Sequence, residues 1–240
     1  MFYRAAKNEK ILIFSDTHFG KDFQMERFEF LAKAINDHDK VIVLGDFYES
    51  YSISFDSFLK SEWNRLFPLL KNKHAIYIWG NHDHESAKFK EASLIFCDAI
   101  TDDLVVESGG EKFNVFHGDK YCITIDRKLK VYLLPRFIQR ILLRLNGYAK
   151  KQRKHINFLQ EKLKFGESIF SSNDNEILKA KIKENSGSSS TNDWAICGHT
   201  HMPEIDRLNK FANCGFVGIG FYSFLTLQNG DIQMTVKSEK

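Results

Sequence analysis

Five short apolar runs in this chain each end in a cluster of residues of the kind that hold metal ions. The runs are Ile11 to Phe14, Val41 to Leu44, Ala75 to Trp79, Phe113 to Phe116 and Trp194 to Cys197. Each has the length of a strand and is rich in β-branched or aromatic residues, which pack well on a pleated surface. The exits are Asp16-Thr17-His18, Gly45-Asp46, Gly80-Asn81-His82-Asp83, His117-Gly118-Asp119 and Gly198-His199-Thr200-His201. Singly, each exit reads as a turn, because Gly-Asp and Gly-Asn are common turn pairs and a lone histidine is usually structural. Together and in order they predict strands of stacked sheets whose polar exits meet at one edge. Open α/β sheets bind ligands beyond the carboxyl ends of their strands, so such a meeting assembles a dinuclear metal site from segments far apart in sequence.

Between the first two runs, Met25, Phe28, Leu31, Ala32 and Ile35 recur at helical spacing, and Phe58, Leu59, Trp63, Leu66, Phe67 and Leu70 do so between the second and third. The resulting β-α-β-α-β order predicts an α/β fold with sheet packed under helices and right-handed crossovers between parallel strands. Tyr222 to Val236 reads as a hairpin turned at Asn229-Gly230, the pair best suited to a type I′ turn. The 240 residues read as one domain, 1–240, carrying a helical insertion over 120–190. Within that insertion no convincing strand is found, and Leu129 to Phe165 is amphipathic. Pro135 is expected to open or kink a helix there, after which Phe137, Ile138, Ile141, Leu142 and Leu145 form an apolar stripe. Arg136, Arg140 and Arg144 fall on one face at i, i+4 spacing. Ser171 to Asn175 and Asn185 to Asp193 read as loops.

The formal net charge of +3 conceals an asymmetry: Arg127 to Gln160 holds ten Lys or Arg and no Asp or Glu, so the rest of the chain is net acidic. A concentrated basic segment on an acidic body suggests that the segment meets an anion: a phosphorylated substrate, an acidic membrane surface or nucleic acid. Cys97, Cys122, Cys197 and Cys214 are scattered without a C-x-x-C pair, which argues against a disulfide framework and a cysteine zinc site and reads as buried thiols. No apolar stretch is long enough to span a bilayer, and Met1 to Lys10 lacks the apolar block of a secretory signal, so the chain reads as cytoplasmic.

The donors on offer are carboxylates, imidazoles and one amide, with no thiolate, a set suited to Mn²⁺, Fe²⁺ or Zn²⁺, of which Mn²⁺ is the expected ion. Asp16 and His18, like His199 and His201, are spaced i, i+2 after an extended run. Side chains two apart on a strand point the same way, so each pair is expected to grip one site; no helical H-E-x-x-H occurs. Two ions about 3.5–4 Å apart share a hydroxide and lower its pKa, with no protein nucleophile required. His82 is the candidate for stabilising the transition state or protonating the leaving oxygen, with Asp83 orienting its ring. Glu49 reads either as an acceptor behind a ligand or as a loop-capping carboxylate. His38, His74 and His155 match no motif and read as surface residues.

In their order, D-x-H, G-D-x-x-E, G-N-H-D, H-G-D and G-H-T-H resemble the signature of the calcineurin-like metallophosphoesterases. The motifs run from Asp16 to Met202-Pro203, and Asn213-Cys214-Gly215 resembles the closing N-x-G segment. The resemblance implies two stacked mixed β-sheets flanked by helices and metal-dependent hydrolysis of a phosphoester or pyrophosphate by a bridging hydroxide. It implies one ion at Asp16, His18, Asp46 and His201, and another at Asp46, Asn81, His117 and His199, with Asp46 bridging the two.

Within that superfamily the chain is similar to the bacterial UDP-2,3-diacylglucosamine pyrophosphatase group. The similarity lies in Gly45-Asp46-Phe47-Tyr48-Glu49, in His117-Gly118-Asp119 running into Cys122, and in the basic-apolar insertion. This implies cleavage of a nucleotide-linked lipid precursor of lipid A to UMP and a lipid phosphate. The insertion would then be a lid over acyl chains and a peripheral contact with the inner membrane. Arg136, Arg140, Arg144 and Asn81 would meet the diphosphate or anionic lipid. One position departs from the group, which commonly carries Arg after the G-N asparagine. His82 instead follows the general phosphoesterase pattern, leaving a phosphodiesterase or nuclease of broader specificity as the alternative, with a non-catalytic scaffold of the same fold behind it.

Overall fold

A computed structural model of the chain describes residues 1–83, 87–121, 138, 154, 156–159, 172–185 and 193–238. The five apolar runs are strands, and they divide between two sheets. The first sheet contains β2 (Ile11–Phe14), β3 (Lys40–Leu44), β4 (Ile76–Ile78) and β5 (Ala99–Thr101) in parallel order. It continues on the other side through β12 (Phe221–Gln228), antiparallel to β2, with β11 (Val217–Gly218) and β13 (Asp231–Ser238) also paired to β12. The second sheet runs β1 (Phe2–Arg4), β6 (Asp103–Ser108), β7 (Glu111–Phe116), β8 (Trp194–Cys197), β10 (Phe211–Asn213) and β9 (Glu204–Asp206), again mixing parallel and antiparallel pairs.

Strand alternation sorts the apolar side chains into layers. Ile11, Ile13, Ile42, Leu44, Ile76 and Ile78 point inward, against Leu104, Val106, Phe113, Val115, Ile196 and Ala212 of the second sheet. Their neighbours Leu12, Phe14, Val41, Val43 and Tyr77 point outward into a core that includes Leu31 and Ile35 of α1 (Met25–Asn36). The same core takes Phe58 of α2 (Phe55–Leu59), Trp63 and Leu66 of a 3₁₀ turn, and Phe67 and Leu70 of α3 (Phe67–Asn72). Each such side chain taken fully out of water contributes about 1.5–3 kcal/mol. A further helix, α4 (Ala87–Ser93), leads into β5. On the far side of the second sheet, Phe116, Cys197 and Phe211 pack against Leu178 and Ile182 of α5 (Asn173–Asn185). The order is therefore helix, sheet, sheet, helix, the α/β sandwich the sequence predicts.

Several local expectations are corrected. The apolar stripe from Phe58 to Leu70 is not one helix: it breaks into α2, the 3₁₀ turn Glu62–Leu66 and α3, with Ser54 capping α2 and Pro68 in the first turn of α3. The first ten residues, in which no strand is expected, supply β1, parallel to β6, with Tyr3 packed on the inter-sheet core. Ser171 to Asn175 is not all loop, because α5 begins at Asn173 and Asn175 N–H donates to Ser172 Oγ. His38 is buried, donating from Nδ1 to Ala34 O at 2.6 Å and meeting Thr226 Oγ1 at 2.9 Å. His74 is on the surface as expected. The hairpin forms as read, with Asn229 and Gly230 both at positive φ (50° and 82°), as a type I′ turn requires. Cys97, Cys197 and Cys214 are buried free thiols. The helical reading of Leu129 to Phe165, and with it Arg136, Arg140 and Arg144, falls outside the described residues except at scattered positions, as do Cys122 and His155.

Candidate metal centre

The polar exits of β2, β3, β4, β7 and β8 meet at one edge of the sandwich. Donor atoms of Asp16, His18 and His201 lie within 4.8 Å of one another, as do those of Asp16, Asp46 and His117, and those of His18, Asp46 and His82. His18 Nε2 is 3.3 Å from His201 Nε2, and Asp16 Oδ1 is 3.2 Å from His201 Nε2. Asp46 Oδ2 stands between two rings, 3.7 Å from His18 Nε2 and 3.4 Å from His117 Nε2. Asn81 Oδ1 is 3.2 Å from His117 Nε2, and the His199 ring lies 5.2 Å from that of His117.

The backbone achieves this in a way the sequence reading did not foresee. Asp16, His18, Asp46, His199 and His201 are all left-handed, with φ of 53°, 44°, 51°, 69° and 58°. The i, i+2 pairs therefore do not converge by sitting on an extended strand; each ligand segment turns sharply as it leaves its strand. Left-handed backbone costs an L-residue about 1–2 kcal/mol, and only surrounding contacts hold it there. Those contacts are visible. Thr17 O accepts from the buried Arg27 guanidinium, which also donates to Val217 O at 2.7 Å, and Thr17 Oγ1 donates to Phe47 O at 2.5 Å. Gly45 is needed at its position: its φ is +81°, and a Cβ there would stand 2.6 Å from His117 Nδ1.

Each carboxylate uses one oxygen on the protein and leaves the other facing the imidazoles. Asp16 Oδ2 accepts from Ser15 Oγ and from His199 N–H at 2.9 Å, while Oδ1 is buried without a hydrogen bond. Asp46 Oδ1 accepts from His82 N–H at 2.8 Å, leaving Oδ2 between His18 and His117. His117 Nδ1 donates to Leu44 O at 2.8 Å, which directs the Nε2 lone pair at the cluster. Burial pushes the His117 imidazole down, yet the charges of Asp46 and Asp16 outweigh it and lift its pKa to about 9. Burial likewise pushes His18 down, yet the surrounding carboxylates of Asp16, Glu49 and Asp46 hold it well above the ordinary histidine value. Buried oxygens and ring nitrogens gathered around a common point, with an electrostatic demand for positive charge, fit divalent cations.

Glu49 lies behind a ligand as read, and it also takes the ring-orienting position expected of Asp83. Glu49 is buried, with Oε1 3.0 Å from His82 Nδ1 and Oε2 3.2 Å from His18 Nδ1. Burial raises its carboxyl, but the neighbouring His82 and His18 hold it well below the usual carboxylate range. Asp83 does not orient the His82 ring. Its Oδ2 accepts from Gly80 N–H at 2.8 Å and Asp46 N–H at 2.9 Å, because the tight turn from Gly80 folds the side chain back beneath the loop. Burial and then the charge of Asp46 push its carboxyl up to about 7. Two aromatic walls were also missed: Tyr51 stands edge-on to His82, ring centres 4.8 Å apart, and Phe216 stacks on His201 at 5.3 Å. Neither carries a spacing signal, since both sit in loops beyond the ligand motifs.

A family model, calcineurin-like phosphoesterase, matches residues 9–203. The chain belongs to that family. This calcineurin-like phosphoesterase is thus a metal-dependent phosphoester hydrolase. No curated protein matches it significantly. Among solved structures it is similar to an archaeal phosphodiesterase, at 20% identity and TM-score 0.52 over 95% of this chain and 99% of that one. It is also similar to zinc-complexed Vps29 from Entamoeba histolytica, at 13% identity and TM-score 0.46 over 95% and 98%. Yfce, a phosphoesterase from E. coli, is similar at 16% identity and TM-score 0.44 over 92% and 88%. Among the described residues, no helix is long and apolar enough to cross a membrane.

Proposed function

We propose that this phosphoesterase uses two divalent ions, one held by Asp16, His18, Asp46 and His201 and the other by Asp46, Asn81, His117 and His199. The observation that carries this reading is the position of Asp46 Oδ2 between His18 Nε2 and His117 Nε2, where one oxygen serves both sets. When bound, the ions supply Lewis-acid activation of water and neutralisation of phosphoryl charge. The chain's own residues do the rest. Asn81 offers a neutral amide oxygen that limits negative charge where an anionic substrate must approach. Asp16 and Asp46 are fixed by backbone N–H donors, so they need not reorganise during reaction. His82 has Nδ1 at 3.0 Å from Glu49, which favours a charged ring able to deliver a proton from Nε2 to the leaving oxygen.

The proposed substrate is a lipid-linked UDP diphosphate of the diacylglucosamine type, cleaved by water to UMP and a lipid phosphate. The basic-apolar composition of 120–190 supports it, as a lid whose Arg136, Arg140 and Arg144 meet the diphosphate and whose apolar stripe meets acyl chains or an anionic membrane. A second reading, a phosphodiesterase of broader specificity acting on smaller esters or nucleic acid, is favoured by His82 following Asn81. Metal analysis of purified protein, with turnover of the lipid-linked substrate in detergent and of a generic phosphodiester, tests both. With Mn²⁺ the wild type is expected to release UMP, and Asp46→Ala to lose metal and activity. Turnover of the generic ester alone overturns the lipid assignment, salt-sensitive nucleic-acid binding then pointing to a nuclease. Unchanged activity in Asp46→Ala overturns the site.

A further inference from the structure

The loop that carries His199 and His201 is held from behind by a helix that contributes no ligand. Asn175, in the first turn of α5, is fully buried. Its Nδ2 donates to Met202 O at 3.0 Å and to Glu204 Oε2 at 2.6 Å, and its Oδ1 accepts from Thr200 Oγ1 at 2.6 Å and from Asn213 Nδ2 at 3.3 Å. Every partner of the amide thus belongs to the segment that starts at the ligand loop. The capping oxygen at this end of α5 comes from Ser172, so Asn175 is not spent on its own helix. Asparagine is a poor helix former, and a buried amide is tolerated only when its donors and acceptors are satisfied. One turn on, Lys179 Nζ reaches Glu204 Oε1 at 2.9 Å and Asp206 Oδ2 at 2.8 Å, closing the helix onto the same segment.

Thr200 is the residue between the two histidines, and both of its neighbours are left-handed, at 69° and 58°. Its hydroxyl also accepts from Asn213 Nδ2 at 2.9 Å, and its N–H donates to Gly198 O at 2.8 Å. A strained loop needs such ties to keep one conformation. We propose that Asn175 is a positioning residue for the metal centre, fixing His199 and His201 through Thr200 and so making the helix that precedes β8 part of the ligand scaffold. This inference rests on the dimetal reading above.

The test uses metal-stripped full-length wild type, Asn175→Ala, Thr200→Val, Thr200→Ser, the Asn175→Ala/Thr200→Val double variant and Asp46→Ala. Mn²⁺ affinity is measured by calorimetry, metal-free Tm by scanning, and kcat and KM on bis(p-nitrophenyl) phosphate. Groups behind metal ligands typically govern affinity by about 10–100-fold. Asn175→Ala and Thr200→Val are each expected to weaken Mn²⁺ binding by about that factor and to lower kcat with KM little changed. Thr200→Ser, which restores the hydroxyl, is expected to recover most of the affinity, and the double variant to be no weaker than the worse single one. A lowered metal-free Tm with wild-type Mn²⁺ affinity and kcat in Asn175→Ala would leave α5 as packing only and overturn the proposal. If Asn175→Ala does not fold, Thr200→Val carries the same decision. Asp46→Ala separates the two failures: if it binds Mn²⁺ like the wild type, the dimetal reading falls and takes this inference with it. If it loses Mn²⁺ while Asn175→Ala and Thr200→Val keep theirs, the positioning role alone is refuted.

Discussion

Glu49 Oε1 lies 3.0 Å from His82 Nδ1, and the same carboxylate sets its second oxygen 3.2 Å from His18 Nδ1, so one buried side chain orients a candidate catalytic imidazole and places its charge beside a candidate metal ligand. Glu49→Gln separates these two tasks. The amide removes the charge that both rings face, and where its NH₂ turns to His82 the ring also loses its acceptor. We expect kcat on a phosphodiester to fall by at least about tenfold and Mn²⁺ affinity to weaken by a factor within the 10–100-fold range typical of such partners. Wild-type values for both quantities would refute the role.

Asp83 gives the contrasting expectation. Its carboxylate holds two buried backbone N–H groups, those of Gly80 and Asp46, rather than the His82 ring. Asp83→Ala leaves both without a partner, at a cost of about 1–3 kcal/mol each, whereas Asp83→Asn keeps an oxygen to accept from them. Denaturant unfolding is therefore expected to show a large loss for alanine and a small one for asparagine. The pH–rate profile of the asparagine variant should keep its wild-type shape; a displaced acid limb would return Asp83 to the proton-transfer machinery.

How far the sequence spoke for the structure differs from one level to the next. Strand exits were legible because ligand-type side chains repeat after β-branched runs, and the two stacked mixed sheets were legible from the order of the motifs those exits make. The Asn229-Gly230 turn was legible because few pairs adopt two positive φ angles in succession. The left-handed ligand backbone was not, since nothing in Asp16, His18, His199 or His201 as residue types demands it; contacts from Arg27, Gly45 and Phe47 hold the turn from Asp16 to His18. Asp83 was misassigned because proximity to His82 in sequence favoured it, while the turn after Gly80 swings its side chain away. His38 was misread because a histidine outside every motif looks solvated until β12 brings Thr226 against it.

Gly45 lies where the chain leaves β3, with its hydrogen-only side toward His117. Gly45→Ala would meet His117 Nδ1 and the Gly80 backbone, at 2.6 Å and 2.8 Å, on a backbone of φ +81°. Strain of this conformation and overpacking together are expected to cost at least about 2 kcal/mol. Because the clash falls on the nitrogen that donates to Leu44 O, the ring should also lose its orientation, so Mn²⁺ affinity is expected to drop along with the chemical-denaturation midpoint. A variant that is less stable yet binds Mn²⁺ normally would show that His117 does not depend on this bond.

Burial holds the His38 pKa below the ordinary 6.5, outweighing the hydrogen bond that Nδ1 donates to Ala34 O and the carboxylates of Asp37 and Asp39, while Nε2 meets Thr226 Oγ1. The sign of the linkage follows. Above pH 6.5 the ring is neutral in both folded and unfolded chains and contributes no pH dependence. As pH falls through 6.5 the unfolded chain takes up a proton that the folded one refuses, so stability is lost, and the loss stops growing once the folded-state pKa is passed. His38→Gln, which supplies a donor and an acceptor but no titrating group, is expected to be less stable at pH 7.5 and to lose less Tm between pH 7.5 and 5.5 than the wild type. Both proteins are scanned in chelator, so that release of metal from the other histidines does not enter the difference. An equal or steeper decline in His38→Gln would place the acid sensitivity elsewhere.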